Sequence, residues 1–204
     1  TGAAELVLNS GICSTLEAHY LFNEGTGQTV ADASGNGRTA TLGTSASVET
    51  QDPSWVCEAT GYQLDFVQSN NQRIVTPAFT PPSDGAIAFW MKIPSLPASR
   101  NRIFGFGDGY EIRFEPDGYL YLDINKAGGN TSIRTSSPIT ATDTWMHFAV
   151  TTSASNDTWA VYKNGVLDNS GSESLTAQLS SALTIGASTW MWRETSTPRR
   201  WSLP

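Results

Sequence analysis

Basic residues are scarce in this 204-residue chain, with 12 Lys and Arg against 19 Asp and Glu, a net charge of −7. A surface of that sign repels phosphate, and the few cations are scattered until the last dozen residues. The footprint that displaces counterions from nucleic acid is therefore missing. Histidine is limited to His19 and His147, each in a strand-like context where a structural imidazole is the commoner outcome. No apolar run approaches the roughly 20 residues of a membrane-spanning helix, and no charged, apolar and small-residue leader opens the chain. A soluble segment, mature or excised, is expected. Helical periodicity of useful length and internal repeats are absent, and so are P-loop, dinucleotide and serine-nucleophile signatures.

Cysteine is limited to Cys13 and Cys57, with no neighbours at metal-ligand spacing. In an exported protein the two pair, closing a long loop that stabilises the fold by roughly 4 kcal/mol in the chain-entropy model. In a reducing compartment they are two buried thiols. The disulfide is the expectation, and it implies an extracellular, cell-surface or periplasmic setting.

What the chain does have is turn residues and period-two alternation. Its 18 Gly and 10 Pro suit many short strands joined by tight turns, and the length fits one large β domain. Residues 16–22 alternate Leu16, Ala18, Tyr20, Phe22, and residues 62–67 alternate again. Residues 85–93 place Ile87, Phe89, Met91 and Ile93 on one face and Ala88, Trp90 and Lys92 on the other. Residues 110–114 and 119–124 flank Glu115-Pro116-Asp117-Gly118, a hairpin signal, and Asn164-Gly165 marks a second with a type I′ turn. An edge strand is expected near 5–8, an irregular polar segment over 43–61 and a Pro-rich connection over 77–84.

Phasing yields candidate sites. With Ile112 and Phe114 inward opposite Leu120, Leu122 and Ile124, the residues Glu111, Arg113, Tyr119, Tyr121 and Asp123 share an outer face. Two tyrosine rings beside charged groups form a platform on which a sugar can stack, or a cross-strand aromatic pair that only stabilises an exposed sheet. A second set, Trp90, Lys92, His147 and Tyr162, shares the face opposite Phe89, Met91, Phe148 and Val161.

Residues 16–42 run LEAHYLFNEGTGQTVADASGNGRTATL: an apolar strand, an EGTG break and D-x-SGNG, in that order. This stretch resembles the opening of bacterial laminin G-like domains of the concanavalin A-like superfamily. Residues 145–151, WMHFAVT, resemble the family's W-x-H-x-A-V-T strand. Tyr162-Lys163-Asn164-Gly165 is similar to its YVNG hairpin, and 182–187, ALTIGA, to its penultimate strand. The resemblance implies an all-β, antiparallel two-sheet sandwich (jelly roll) over 1–187. In the family, a closing strand of the type G-x-I-D-[DE]-V-R follows. Here residues 188–204 hold three of the seven tryptophans and three arginines instead. They are read as a non-family tail that replaces the native closing strand and leaves a sheet edge exposed, rather than as a cationic aromatic binding segment.

The same jelly roll carries glycoside hydrolases and alginate lyases. A retaining glycosidase needs two carboxylates about 5–5.5 Å apart. Glu111 and Glu115 come nearest, but they run into Pro116 without the family's E-x-D-x-x-E or E-x-D-x-E pattern. Tyr162-Lys163-Asn164-Gly165-Val166 begins like a lyase motif that Leu167-Asp168-Asn169 does not continue. No catalytic residue is expected. The resemblance implies a carbohydrate-binding or adhesion module of a secreted or cell-surface protein, with a glycan or a cell-surface protein as partner. The alternatives are a purely structural interaction module or, further off, a polysaccharide-degrading enzyme. It also implies a structural Ca²⁺ ion at Asp32 and Asn36 in the DASGNG loop, unless that loop is simply a hydrogen-bonded turn.

Overall fold

The computed structural model describes residues 6–9, 16–59, 61–107, 110–126, 129–176 and 180–186. In chain order the strands of the first half are β1 (Leu6–Asn9), β2 (Leu16–Tyr20), β3 (Thr29–Val30), β4 (Ala40–Leu42), β5 (Ser54–Glu58), β6 (Gly61–Asp65), β7 (Arg73–Phe79) and β8 (Asp84–Met91). The second half adds β9 (Asn101–Phe106), β10 (Tyr110–Phe114), β11 (Leu120–Lys126), β12 (Gly129–Arg134), β13 (Met146–Ser153), β14 (Thr158–Lys163), β15 (Val166–Ser172) and β16 (Ser181–Gly186). A 3-10 turn, Gln68–Asn70, is the helical element among the described residues, and no helix there is long and apolar enough to cross a membrane.

The strands form two antiparallel sheets. A six-stranded sheet has the order β15-β14-β13-β8-β1-β2, and an eight-stranded sheet β12-β11-β10-β9-β16-β7-β4-β3. Their inner faces meet in one core, because alternate residues of each strand point the same way. From the six-stranded sheet come Ala18, Tyr20, Ile87, Phe89, Phe148, Val150 and Val161; from the other come Ile74, Phe104, Phe106, Ile112, Phe114, Leu122 and Leu183. Phe89 and Phe148, opposite one another on β8 and β13, stack with ring centroids 5.8 Å apart. The Asn164-Gly165 turn has φ of 50° and 79°, the two positive values a type I′ hairpin demands.

Several local expectations are corrected. β1 is an interior strand, pairing with β2 on one side and β8 on the other. The alternation of residues 16–22 does not carry the strand through Phe22, which takes φ +53° and turns its buried ring into the core after β2 has ended at Tyr20. Within 43–61, Ser54–Glu58 pairs with Gly61–Asp65 as a separate two-stranded ribbon, so Trp55 and Cys57 lie on a strand. The supposed connection over 77–84 is partly β7, which runs through Pro77. Proline cannot donate to a ladder, and the β7–β16 register shifts between Ala182 and Thr184. Leu183 N–H donates instead to the Thr76 hydroxyl at 3.0 Å, which keeps this interior ladder closed.

β2 is the outer strand of its sheet, and loop 32–38 lies along its outer side. Asp32 accepts from His19 N–H at 3.0 Å, and Ala33 N–H donates to the His19 carbonyl at 2.8 Å. Asn36 Nδ2 donates to the carbonyls of Leu16 and Glu17 at 2.7 and 3.1 Å. The tail over 188–204 lies outside the described residues, as does the place of any closing strand.

Candidate functional site

On the eight-stranded sheet the hairpin is phased as expected. Glu111 faces Asp123 and Arg113 faces Tyr121, all on the outer side, with Ile112, Phe114, Leu120, Leu122 and Ile124 buried beneath. Adjoining strands complete the face with Arg102 opposite Arg113, Ser132 opposite Asp123 and Arg134 opposite Tyr121. The charged members turn on one another. Glu111 accepts from Arg100 at 2.8 and 3.1 Å and from Arg102 at 2.5 Å. Arg113 bridges Asp123 and Glu115, and Ser132 donates to Asp123. Burial alone pushes the Glu111 carboxyl up, but the Arg102 and Arg100 guanidiniums overcome it and hold it below the usual glutamate value.

Glu111, Arg113 and Asp123 are consequently only 5%, 8% and 5% exposed and face each other rather than solvent. The tyrosines are half-buried. The Arg134 guanidinium lies 4.0 Å over the Tyr119 ring, and that of Arg113 lies 4.8 Å over Tyr121, so cations already occupy the ring faces a sugar would stack on. Tyr121 also donates to Asp117 at 2.8 Å. The five residues do share one face, but its chemistry is directed inward.

The outer face of the six-stranded sheet differs. Trp90 and His147 are direct cross-strand partners, with ring centroids 5.2 Å apart at 58°. Tyr162 lies opposite Ala149, which lies opposite Ala88. One step along, Ala160, Thr151 and Ala86 continue the same face. Trp90 is 42% exposed, while His147, Tyr162 and the alanines are half-exposed. The result is a shallow floor of small side chains with aromatic rings standing at one end. Lys92 is drawn away from this set, because its ammonium pairs with Glu58 of the ribbon and lies 5.5 Å over the Trp145 ring.

The DASGNG loop folds as a hydrogen-bonded turn. Asp32 Oδ1 accepts from the N–H groups of His19 and Ser34 at 3.0 and 2.9 Å, and Oδ2 from that of Arg38 at 2.9 Å. Burial pushes the carboxyl up, yet hydrogen bonds from the Ser34 hydroxyl and from the Arg38, Ser34 and His19 N–H groups leave it below the usual aspartate value. Ca²⁺ takes six to eight oxygens. Around Asp32 gather N–H donors, Asn36 presents its amide N–H to carbonyls, and Arg38 pairs with Glu17 alongside at 2.8 Å. Among the described residues no three His, Cys, Asp or Glu are grouped to share an ion. This donor set does not fit the cation. Cys57 is an exposed thiol on β5, and Cys13 lies outside the described residues.

The arginines at 100, 102 and 134 were not among the candidates read from sequence. The Arg100, Arg102 alternation ahead of Gly105 was the available signal, but only the register of β9 against β10 shows that these side chains meet Glu111. The alanine floor also carries no motif.

The fold is an antiparallel two-sheet β-sandwich. Residues 67–198, more than half of the chain, match the laminin G-type model of the concanavalin A-like lectin/glucanases superfamily, and the chain belongs to that family. No curated protein matches the chain. Among solved structures it is similar to the receptor-binding domain of botulinum neurotoxin type G, at 15% identity and TM-score 0.60, covering 91% of this chain and 43% of that one. It is similar also to the binding domain of botulinum neurotoxin DC in complex with SialylT, at 14% and 0.57, covering 89% and 42%. Domain 4 of AbnA, a GH43 extracellular arabinanase from Geobacillus stearothermophilus in complex with arabinotriose, matches at 19% and 0.60, covering 93% and 86%. The chain thus spans less than half the length of the two neurotoxin domains, and at these identities the likeness is one of fold.

Two measurements check this geometry. Glu111→Gln removes the carboxylate that Arg100 and Arg102 share, leaving Arg100 to Asp123 at 3.6 Å, and is expected to cost about 3 kcal/mol in urea unfolding at neutral pH. Because Glu111 titrates lower folded than unfolded, its contribution is present above the ordinary carboxylate value and is lost as pH falls through the folded value. The gap between wild type and variant should therefore narrow below about pH 4. Asp32→Ala strands three backbone donors and should cost about 2 kcal/mol, while millimolar Ca²⁺ or EDTA leaves the wild-type melting midpoint in place. A midpoint that rises with Ca²⁺ would show that the loop does hold the ion.

Proposed function

We propose that this domain is a non-catalytic carbohydrate-binding module of a secreted or cell-surface protein, with the outer face of the six-stranded sheet as its binding surface. The observation that carries the reading is the exposed Trp90 ring set against His147 over a floor of Ala86, Ala88, Ala149 and Ala160. An indole face suits the C–H side of a sugar ring, small side chains let the ring settle close to the sheet, and His147 and Tyr162 supply hydrogen bonds to hydroxyls. Among the described residues the opposite sheet offers no comparable surface, since its charges pair with one another. The fold-level relation to an arabinanase domain holding arabinotriose supports an oligosaccharide as ligand. The proposed disulfide of Cys13 with Cys57 belongs to the same extracellular setting; alkylation of Cys57 in the unreduced protein would count against it.

A second reading has its own observation. Val166 and Leu167 on the outer strand β15 are exposed, and Leu167 lies opposite Tyr162, which extends the face with aliphatic surface suited to a protein partner. Binding to a glycan array separates the two. Trp90→Ala is expected to weaken array binding at least tenfold, about 1.4 kcal/mol, with an unchanged melting midpoint. Array binding that survives Trp90→Ala at full strength would refute the sheet-face site.

A further inference from the structure

A cleft lies beside β3 and β4, and none of its described lining residues belongs to the six-stranded sheet. Loop 23–28, loop 43–53 and the 3-10 turn wall it, and the ribbon contributes Trp55. Its volume is about 590 Å³, within the roughly 300–1,000 Å³ of small-ligand clefts. The indole N–H of Trp55 donates to the Gly27 carbonyl at 3.0 Å, and the ring packs partly on the core, so it is held in place as one wall. Val48, an exposed aliphatic side chain, stands at the rim. Leu42 and Pro53 add apolar floor, and the polar lining is hydroxyl, amide and carboxylate, from Thr26, Gln28, Asp52 and Asn70 among others, with no Lys or Arg among the described lining residues.

Two lining oxygens, Gln28 Oε1 and Asp52 Oδ1, are closed off from solvent without a hydrogen-bond partner, a state that costs free energy until a donor reaches them. Asp52 Oδ1 and Glu49 Oε1 also converge on the space a Cβ on Gly43 would fill, at a glycine whose φ is +66°. Of the two only Asp52 Oδ1 lacks a donor, since Glu49 Oε1 accepts from the Thr44 hydroxyl and Ser45 N–H. A rigid indole, two unpaired acceptor oxygens and a lining without Lys or Arg among the described residues define a ligand rich in O–H donors, with an apolar face and no negative charge.

We infer that this cleft is a second saccharide site, separate from the Trp90 face and selective for neutral oligosaccharides. Ligand hydroxyls donate to Gln28 and Asp52, whose side chains turn toward the ligand as it enters, and a sugar ring lies against Trp55. Anionic glycans are repelled by Glu49 and Asp52.

The test is an array of neutral, sialylated and uronate-bearing oligosaccharides, applied to the wild type, Trp90→Ala, Gln28→Met and Ser54→Arg. Gln28→Met removes an unpaired buried oxygen at nearly constant length, and it is expected to weaken binding to a subset of neutral glycans at least tenfold without lowering the melting midpoint. Ser54→Arg, at an exposed position on the cleft wall, blocks the mouth and keeps the test decisive should Gln28→Met impair folding. Trp90→Ala leaves that subset bound. The proposal is overturned if neither cleft variant changes binding, if Trp90→Ala alone erases all binding, or if the cleft-dependent glycans are the anionic ones. It is overturned equally if Ca²⁺ shifts the midpoint in Asp32→Ala while no glycan binds, which would assign the converging oxygens to a cation.

Discussion

The unbroken pairing of β8 with β13, from Met146 opposite Met91 to Ser153 opposite Asp84, is the constraint on which both the core and the open face depend. A slip of one residue would turn every side chain of one strand to the other side. Either Phe89 would leave the centre of the core and Trp90 be driven into it, or Phe148 would leave and His147 be driven in. The stacked phenylalanines inside therefore hold the rings outside in place, because the strands that bury one set must expose the other.

The two outer faces solve opposite problems. The eight-stranded sheet carries its arginines and acids in alternating positions, so each charge finds a partner across a strand and the surface closes on itself. A network with Glu111, Arg113 and Asp123 nearly buried is costly to break and contributes modestly relative to a well-packed apolar surface. Its effect is to fix the relation of β9, β10, β11 and β12. The six-stranded sheet instead leaves small residues at its centre, and that restraint gives a ligand room to approach.

Much of the fold was legible because its signals are local. Glu115-Pro116-Asp117-Gly118 and Asn164-Gly165 mark turns by backbone chemistry, and alternation over 110–124 settles which residues face out. What escaped depends on partners distant in sequence. Nothing in Arg100 or Arg102 shows that they will reach Glu111, so a face that reads as a sugar platform closes into ion pairs. Ser54-Trp55-Val56-Cys57 is too short and too polar in its surroundings to declare a strand, and only its pairing with Gly61–Asp65 makes it one. The stretch 16–42, which carried the resemblance at the outset, lies before the segment that matches the family. Its DASGNG turn owes its shape to backbone N–H groups that no spacing rule could assign.

That turn has a consequence for how the protein behaves in company. A sheet whose last strand offers free N–H and C=O groups is a template on which another chain can add itself. Along the outer side of β2, the His19 N–H is held by Asp32, its carbonyl by Ala33, and the carbonyls of Leu16 and Glu17 by Asn36. The loop thus imitates the neighbour that an incoming strand would be, and a second molecule finds that side of the sheet already satisfied.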